Sequence, residues 1–237
     1  MGEIEFDKKL RDVDFCQPAL HTQYRRVLGQ VNWLQSRTQY KACYRFSRCA
    51  SAATSPTIAD VQQLNKLVRS IRSEPCVLKY WPLKGKLKLI GYPDAAYRNN
   101  ADNSSQRGQT IFLVEARTVS KDSFGSMIDF KSHKINRVVL STTVSELYSF
   151  TKCCGTCQFL RGLWMDISAA CVAIHMRTDA NNLVTTASTT RLPEQKETIH
   201  MIQMLRKESC SGQIDDLAHV SSADCLSDCL TQIIINI

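Results

Sequence analysis

No stretch of the 237-residue sequence reaches the roughly 18 consecutive apolar residues that a membrane-spanning helix needs. The first fifteen residues, MGEIEFDKKLRDVDF, are charged throughout and lack the apolar core of a secretory leader. Neither a membrane span nor a membrane partner is expected. Phe6 stands where a myristoylated Gly2 would require Ser or Thr, which removes the simplest lipid anchor. Glycine is scarce, nine in all, and no Gly-rich phosphate loop, internal repeat or low-complexity tract occurs. Eleven cysteines are many, yet their spacing is irregular and no leader accompanies them, so a disulfide framework is not expected and an intracellular setting is. Cys154 and Cys157 have metal-like spacing without a second pair at ribbon spacing, and Cys225 and Cys229 stand at a helical i, i+4 interval. Buried free thiols are expected rather than zinc.

Acids are nearly missing between Tyr24 and Ile90: thirteen Lys and Arg face Asp60 and Glu74, a local balance of +11 in a chain whose net charge is +8. A segment of this kind suits a polyanion, nucleic acid above all, because neutralised phosphates release counterions. The 43% hydrophobic content supports a globular core.

Residues 24 to 73 read as helical. In SPTIADVQQLNKLVRSIRS, Thr57 caps with Asp60 three residues on, and Ile58, Val61, Leu64, Val68 and Ile71 recur at helical spacing. The pattern turns to strands near residue 85. KLKLIGYPDAAY, GQTIFLVEA and SMIDFKSHK predict three sequential antiparallel strands, and Pro93 predicts an irregular end to the first. A long helix follows, with Leu147, Phe150, Cys154, Cys157, Leu160 and Trp164 on one stripe. Then come a strand at CVAIHMRTDANN, a helix at EQKETIHMIQMLRKES, a strand at GQIDDLAHV and a terminal helix at SADCLSDCLT. This order predicts an α/β fold with a mixed five-stranded sheet and flanking helices, preceded by a basic helical segment.

Four acids fall at element ends: Asp94 on the first strand, Glu146 in the first turn of the long helix, Asp179 after the fourth strand and Asp228 in the last helix. If the first and fourth strands lie side by side the acids converge, and clustered carboxylates are what Mg²⁺ prefers. Each also has an ordinary explanation. Asp94 suits a turn, Glu146 a capping box with Thr143, Asp179 the cap of a short helix, and Asp228 a solvated helix start. The Asp215–Asp216 doublet reads as a polar strand start, and His219 is either an assistant near a metal site or a surface histidine.

The segments QYRRVLGQVNWL, SPTIADVQQLNKLVRSI, LIGYPDAAY, FKSHKINRVVLSTTVSELYS, RTDANN and SADCLSDCLTQ, in this order, resemble the C-terminal part of the polyprotein of copia-type LTR retrotransposons. That part holds the end of the reverse transcriptase and the ribonuclease H domain. The resemblance covers roughly residues 22 to 232. It implies a tail at 1–21, a helical remnant of the polymerase at 22–85 and a ribonuclease H-like domain at 86–237. The family's Gly-Tyr-Ser-Asp-Ala matches GYPDA, giving Asp94. Its Ser-Ser-Thr-Glu-Ala-Glu-Tyr matches STTVSELY, giving Glu146, with Val144 in place of the earlier glutamate. TDANN gives Asp179, and Ala-Asp-x-Leu-Thr-Lys matches Ser227 to Gln232, which selects Asp228 over Asp224.

The family pattern is lost at Phe130 to Ile135, at Lys196 to Thr198 and at Thr38 to Lys41, losses that spare the four acids. By the resemblance, those acids hold two Mg²⁺ ions, with Mn²⁺ as an alternative, and the chain is a ribonuclease cleaving the RNA strand of RNA–DNA hybrids. Lys131, Lys134, Arg69 and Arg72 are then phosphate contacts, and the rest of a reverse transcriptase is a partner. The polymerase aspartates are absent, so no DNA synthesis is expected. The alternatives are a non-catalytic nucleic-acid-binding remnant and an inert fragment of a decaying element.

Overall fold

The computed structural model describes residues 1–117, 125–190 and 196–231, apart from the side chain of residue 197. They form two compact units that divide between Val77 and Leu78.

In the first unit, Pro18 opens helix α1 (Pro18–Gln35) at a position where its missing N–H costs nothing. Helix α2 (Cys43–Ser51) and helix α3 (Ile58–Ser73) follow. Thr57 and Asp60 form the expected capping box at the start of α3. The apolar stripe of α3, Val61, Leu64, Leu67 and Val68, packs against Tyr24, Val27 and Val31 of α1. Tyr24 is fully buried, and its hydroxyl donates to the Cys49 carbonyl at 2.8 Å, which satisfies the one polar atom it brings into the core. The residues ahead of α1 are tied to α3. The Asn65 amide both accepts from the Ile4 N–H and donates to the Ile4 carbonyl, each at 2.8 Å, while Arg69 pairs with Glu3 at 2.9 Å.

The second unit is built on a five-stranded sheet. Strands β1 (Leu87–Ala96), β2 (Gln106–Glu115) and β3 (Gly125–Lys134) form an antiparallel meander, as their short links predict. Helix α4 (Thr142–Ser168) carries the chain back to β4 (Ala173–Thr178), which pairs parallel with β1. Helices α5 (Asn181–Ser188) and α6 (Lys196–Cys210) lead to β5 (Asp216–His219), parallel to β4. The spatial order is β3-β2-β1-β4-β5. Alternation sets the core: Leu89, Ile111, Ile174 and Met176 on one face of the sheet meet Leu147, Phe150, Cys153 and Cys157 of α4. Each of the Leu, Ile, Met and Phe side chains contributes on the order of 1.5–3 kcal/mol by leaving water. A side chain at Gly91 would meet Cys157 Sγ at 2.9 Å and Met176 Sδ at 3.0 Å, so only glycine lets α4 approach β1 this closely.

Three expectations are corrected. The terminal helix forms as two short 3-10 turns, Ser222–Asp224 and Asp228–Leu230. Its Ser and Asp side chains bond locally instead, as Ser221 Oγ does to Asp224 at 2.6 Å, and such bonds compete with helix. Strand β1 runs unbroken through Pro93 to Ala96, and the irregularity falls between β2 and β3 at Ile111/Phe112. Beyond Gly91, β1 no longer pairs with β4, and an edge of that kind tolerates proline. Finally, α4 starts from Ser141, whose hydroxyl accepts from Val144 N at 3.2 Å, so Glu146 stands past the first turn and forms no box with Thr143. The part of the helix predicted at EQKETIHMIQMLRKES that lies ahead of Lys196 falls outside the described residues.

Candidate metal centre

Because β1 and β4 run parallel and side by side, acids near their C-terminal ends are brought together. Asp94 lies within β1, opposite Gly108 of β2, and is 6% exposed. Asp179 follows directly after β4. A Cβ at Gly108 would stand 2.9 Å from Leu230 and Thr231 atoms, so glycine there admits the segment 227–231 onto the sheet beside Asp94. Helix α4 is fastened over the same point. Ser149 Oγ donates to the carbonyls of Asp94 at 2.8 Å and Gly108 at 3.0 Å, one turn along from Glu146.

Carboxylate oxygens of Asp94 and Asp179 and Cys225 Sγ all lie within 4.8 Å of one another. Glu146 and Asp228 stand outside that tightest set, but both are close enough to act electrostatically: Asp228 on Asp94, and Glu146 through its repulsion by Asp94 and Asp179. Burial raises the Asp94 carboxyl to about 6, with Asp179 and Asp228 adding to the rise and a hydrogen bond from the Thr231 hydroxyl opposing it. Burial likewise raises Glu146 to about 9, helped by Asp94 and Asp179. The Ala95 N–H bonds to both carboxyls. Glu146 Oε2 is buried without a hydrogen-bond partner. Among the described residues, no Lys, Arg or His forms an ion pair with Asp94, Glu146 or Asp179. An orphaned buried oxygen among repelling carboxyls fits a divalent cation, since a cation supplies the missing partner and offsets the repulsion.

The ordinary explanations fare unevenly. Asp94 lies in a strand, not a turn. Helix α5 is capped by Ala180 with no side-chain bond, and Asp179 gives it only a backbone carbonyl, to Asn181 N at 3.0 Å. The Asp179 carboxylate instead accepts from Ser222 Oγ at 3.0 Å, and its carbonyl meets His219 Nε2 at 3.2 Å. Asp228 opens the last 3-10 turn and is half-buried. Sequence reasoning missed Cys225, Thr231 and Ser222 as neighbours of these acids. Thr231 alone carried a signal, as part of the matched LTQ.

Of the four cations expected to meet phosphate, Arg69 and Arg72 lie in the first unit and Lys131 and Lys134 in the second. Lys131 pairs with Asp129 at 3.0 Å, Lys134 pairs with Asp102, and Arg69 pairs with Glu3. Arg72 is exposed in the last turn of α3. Lys134 also lines a cavity of about 540 Å³ with Arg98 and Arg137, between the turn after β1 and the loop before α4. Arg137 and Lys152 flank the Tyr148 ring, 5.4 and 5.6 Å from its centroid.

The strand order, the three antiparallel strands and the parallel β4 and β5 define a ribonuclease H-like mixed sheet with flanking helices. The chain is similar to the solved structure of LC11-RNase H1 in complex with RNA/DNA hybrid, over 60% of this chain and 93% of that one, at 15% identity and a TM-score of 0.43. RNase H1 from the halophilic archaeon Halobacterium salinarum NRC-1 is similar over the same shares, at 16% identity and a TM-score of 0.42. Native prototype foamy virus protease-reverse transcriptase is similar over 68% of this chain and 23% of that one, at 13% identity and a TM-score of 0.36. No protein-family model and no curated protein sequence matches the chain. Among the described residues no helix is long and apolar enough to cross a membrane.

Proposed function

We propose that this chain is a metal-dependent ribonuclease H-type endonuclease that cleaves the RNA strand of RNA–DNA hybrids, and that it derives from the replication machinery of a copia-type LTR retrotransposon. The observation that carries the reading is the meeting of Asp94 and Asp179 at adjacent strand ends, with the buried, unpartnered Glu146 Oε2 beside them. The retrotransposon origin rests on the ordered motif series alone.

In this reading Asp94, Glu146, Asp179 and Asp228 hold two divalent ions, Mg²⁺ or Mn²⁺. Such a pair supplies a water of lowered pKa and stabilises the leaving oxygen of an in-line displacement. The chain's own residues set the geometry. Thr231 and Ser222 donate to the Asp94 and Asp179 carboxylates and fix their rotamers. Ser149 locks α4, and with it Glu146, to β1 and β2. The cavity lined by Arg98, Lys134 and Arg137 receives a backbone phosphate of the duplex, with Asp102 releasing Lys134 at little cost because exposed ion pairs contribute about 0–1 kcal/mol. The exposed cations of α1 and α3 offer the first unit's own phosphate contacts, which makes binding steeply salt-dependent.

The test is cleavage of a labelled RNA–DNA hybrid in Mg²⁺ by the full chain and by Asp94→Asn. Cleavage by the first and a loss of at least roughly 100-fold in the second is expected, the scale of removing one preorganised electrostatic contact. Equal activity in the two overturns the assignment of the site. Tight, salt-sensitive hybrid binding without any cleavage assigns the chain to the non-catalytic binding class instead.

A further inference from the structure

Cys225 is the one member of the tight cluster that a site for hard ions does not call for. Its Sγ lies within 4.8 Å of carboxylate oxygens of both Asp94 and Asp179, and its other polar neighbours are Ser227, through Oγ at 3.3 Å and its backbone, and the Pro93 carbonyl at 3.9 Å. The thiol is buried, 5% exposed, in the short link between the two 3-10 turns. It is a fixed part of the wall and not a surface cysteine. Glu146 Oε2, buried and without a partner, stands beside the same two acids.

We propose that Cys225 makes this site a trap for thiophilic divalent ions, with Zn²⁺ or Cd²⁺ held by Asp94, Asp179 and Cys225 in competition with Mg²⁺ or Mn²⁺. Two carboxylate oxygens and one sulfur form a mixed donor set, and three protein ligands plus water complete the tetrahedral shell that zinc favours. Zinc–oxygen and zinc–sulfur bonds of about 2.0–2.3 Å place ligand atoms roughly 3.5 Å apart, so the cluster closes by a contraction of about 1 Å. Ligand softness decides the selectivity: sulfur adds affinity for Zn²⁺ and Cd²⁺ and nothing for Mg²⁺, which keeps to oxygen. On binding, the S–H bond breaks, the sulfur–metal bond forms with the sulfur lone pair, and the proton passes to solvent. A retained thiophilic ion occupies the positions that the hard ions need, so traces of zinc inhibit the enzyme. The inference rests on reading the cluster as a metal site, but its test needs no hybrid and no turnover.

The experiment titrates Cd²⁺ into the full chain, wild type and Cys225→Ser, and follows the ultraviolet thiolate-to-Cd²⁺ charge-transfer absorption together with calorimetric stoichiometry. The other ten cysteines are common to both proteins, so the difference between the two titrations isolates Cys225. Mn²⁺ binding by both is measured in parallel by paramagnetic resonance of the free ion. Wild type is expected to show roughly one additional tight Cd²⁺ with a thiolate band that Mn²⁺ displaces. Cys225→Ser is expected to lose that band and bind this Cd²⁺ at least roughly tenfold more weakly, while still binding Mn²⁺. Asp179→Asn is expected to weaken the same Cd²⁺. Identical Cd²⁺ spectra and stoichiometry in wild type and Cys225→Ser overturn the proposal, and so does a wild-type band unaffected by Asp179→Asn. Cys225→Ala serves as the second variant if Ser perturbs the fold. Mn²⁺ bound without the Cys225-dependent Cd²⁺ leaves the hard-ion site and removes the trap. The Cys225-dependent Cd²⁺ bound without Mn²⁺ does the reverse.

Discussion

Two groups of acids lie at opposite ends of β4 in opposite electrostatic settings. Near its start, Asp215 accepts from Ile174 N at 2.8 Å and lies 4.0 Å from Arg161, while Asp216 is held by Arg177 and by His175 at 3.4 Å. Past its end, Asp94, Asp179 and Glu146 have hydroxyl and backbone donors but no protein cation among the described residues. The first group is neutralised within the chain and needs nothing further. In the second, burial and repulsion from neighbouring carboxylates keep Asp94 and Glu146 protonated above their ordinary range. A doublet of adjacent acids is the more conspicuous feature in a sequence, yet the dispersed acids form the unsatisfied cluster. Incomplete neutralisation, not the number of acids, marks the candidate site.

The contrast can be broken by pH. Asp94 and Glu146 have folded pKa values, about 6 and about 9, above those of the unfolded chain, near 4. The folded state therefore holds protons that the unfolded state has released, and the metal-free protein loses stability as pH rises from about 4 through about 9. Denaturant unfolding of metal-free protein at about pH 5 and about pH 9 is expected to differ by a few kcal/mol in favour of the lower pH, and saturating Mn²⁺ is expected to offset most of the loss. A flat or rising profile contradicts the burial of unpaired carboxyls.

Single substitutions sharpen the comparison. Gly108→Ala drives a methyl against Leu230 and Thr231 and pushes the segment bearing Asp228 off the sheet, with an expected cost of about 1–3 kcal/mol and weaker Mn²⁺ binding. Asp94→Asn removes a buried, repelled carboxyl, so the metal-free chain is expected to gain about 1–2 kcal/mol at neutral pH while losing cleavage. Asp216→Asn is expected to move the other way and less. It leaves Arg177 without its carboxylate, and because the pair is partly exposed the loss is about 1 kcal/mol or below, with Mn²⁺ binding unchanged. Thermal unfolding with and without Mn²⁺ separates these outcomes.

What was legible in the sequence followed the range of the forces involved. The start of α3 is written in four residues, since the side chains of Thr57 and Asp60 each accept from the other's backbone N–H, and its stripe is a local periodicity. The meander was legible because short links leave sequential strands little choice but to pair. The convergence of Asp94 and Asp179 depended on β1 and β4 being neighbours, which the element order suggested and pairing from Lys88 to Gly91 realises. The motif reached Glu146, but the start of α4 was displaced, because Ser141 wins the cap over Thr143. The terminal helix failed because a short run rich in Ser, Asp and Cys finds local side-chain bonds and a close seat on Gly108. The sequence pointed to Cys225 as a buried thiol but not as a neighbour of the acids. Its approach to the acids is set by where the chain returns after β5, more than 130 residues from Pro93 and Asp94.

The central claim is that the acids beyond β4 form a divalent-cation site whereas the acids at its start do not. Calorimetric titration of Mn²⁺ into wild type, Asp94→Asn and Asp216→Asn tests it most directly. Wild type and Asp216→Asn are expected to bind Mn²⁺ with proton release, and Asp94→Asn to lose that binding. Equal binding by Asp94→Asn and wild type, or none by wild type, contradicts it.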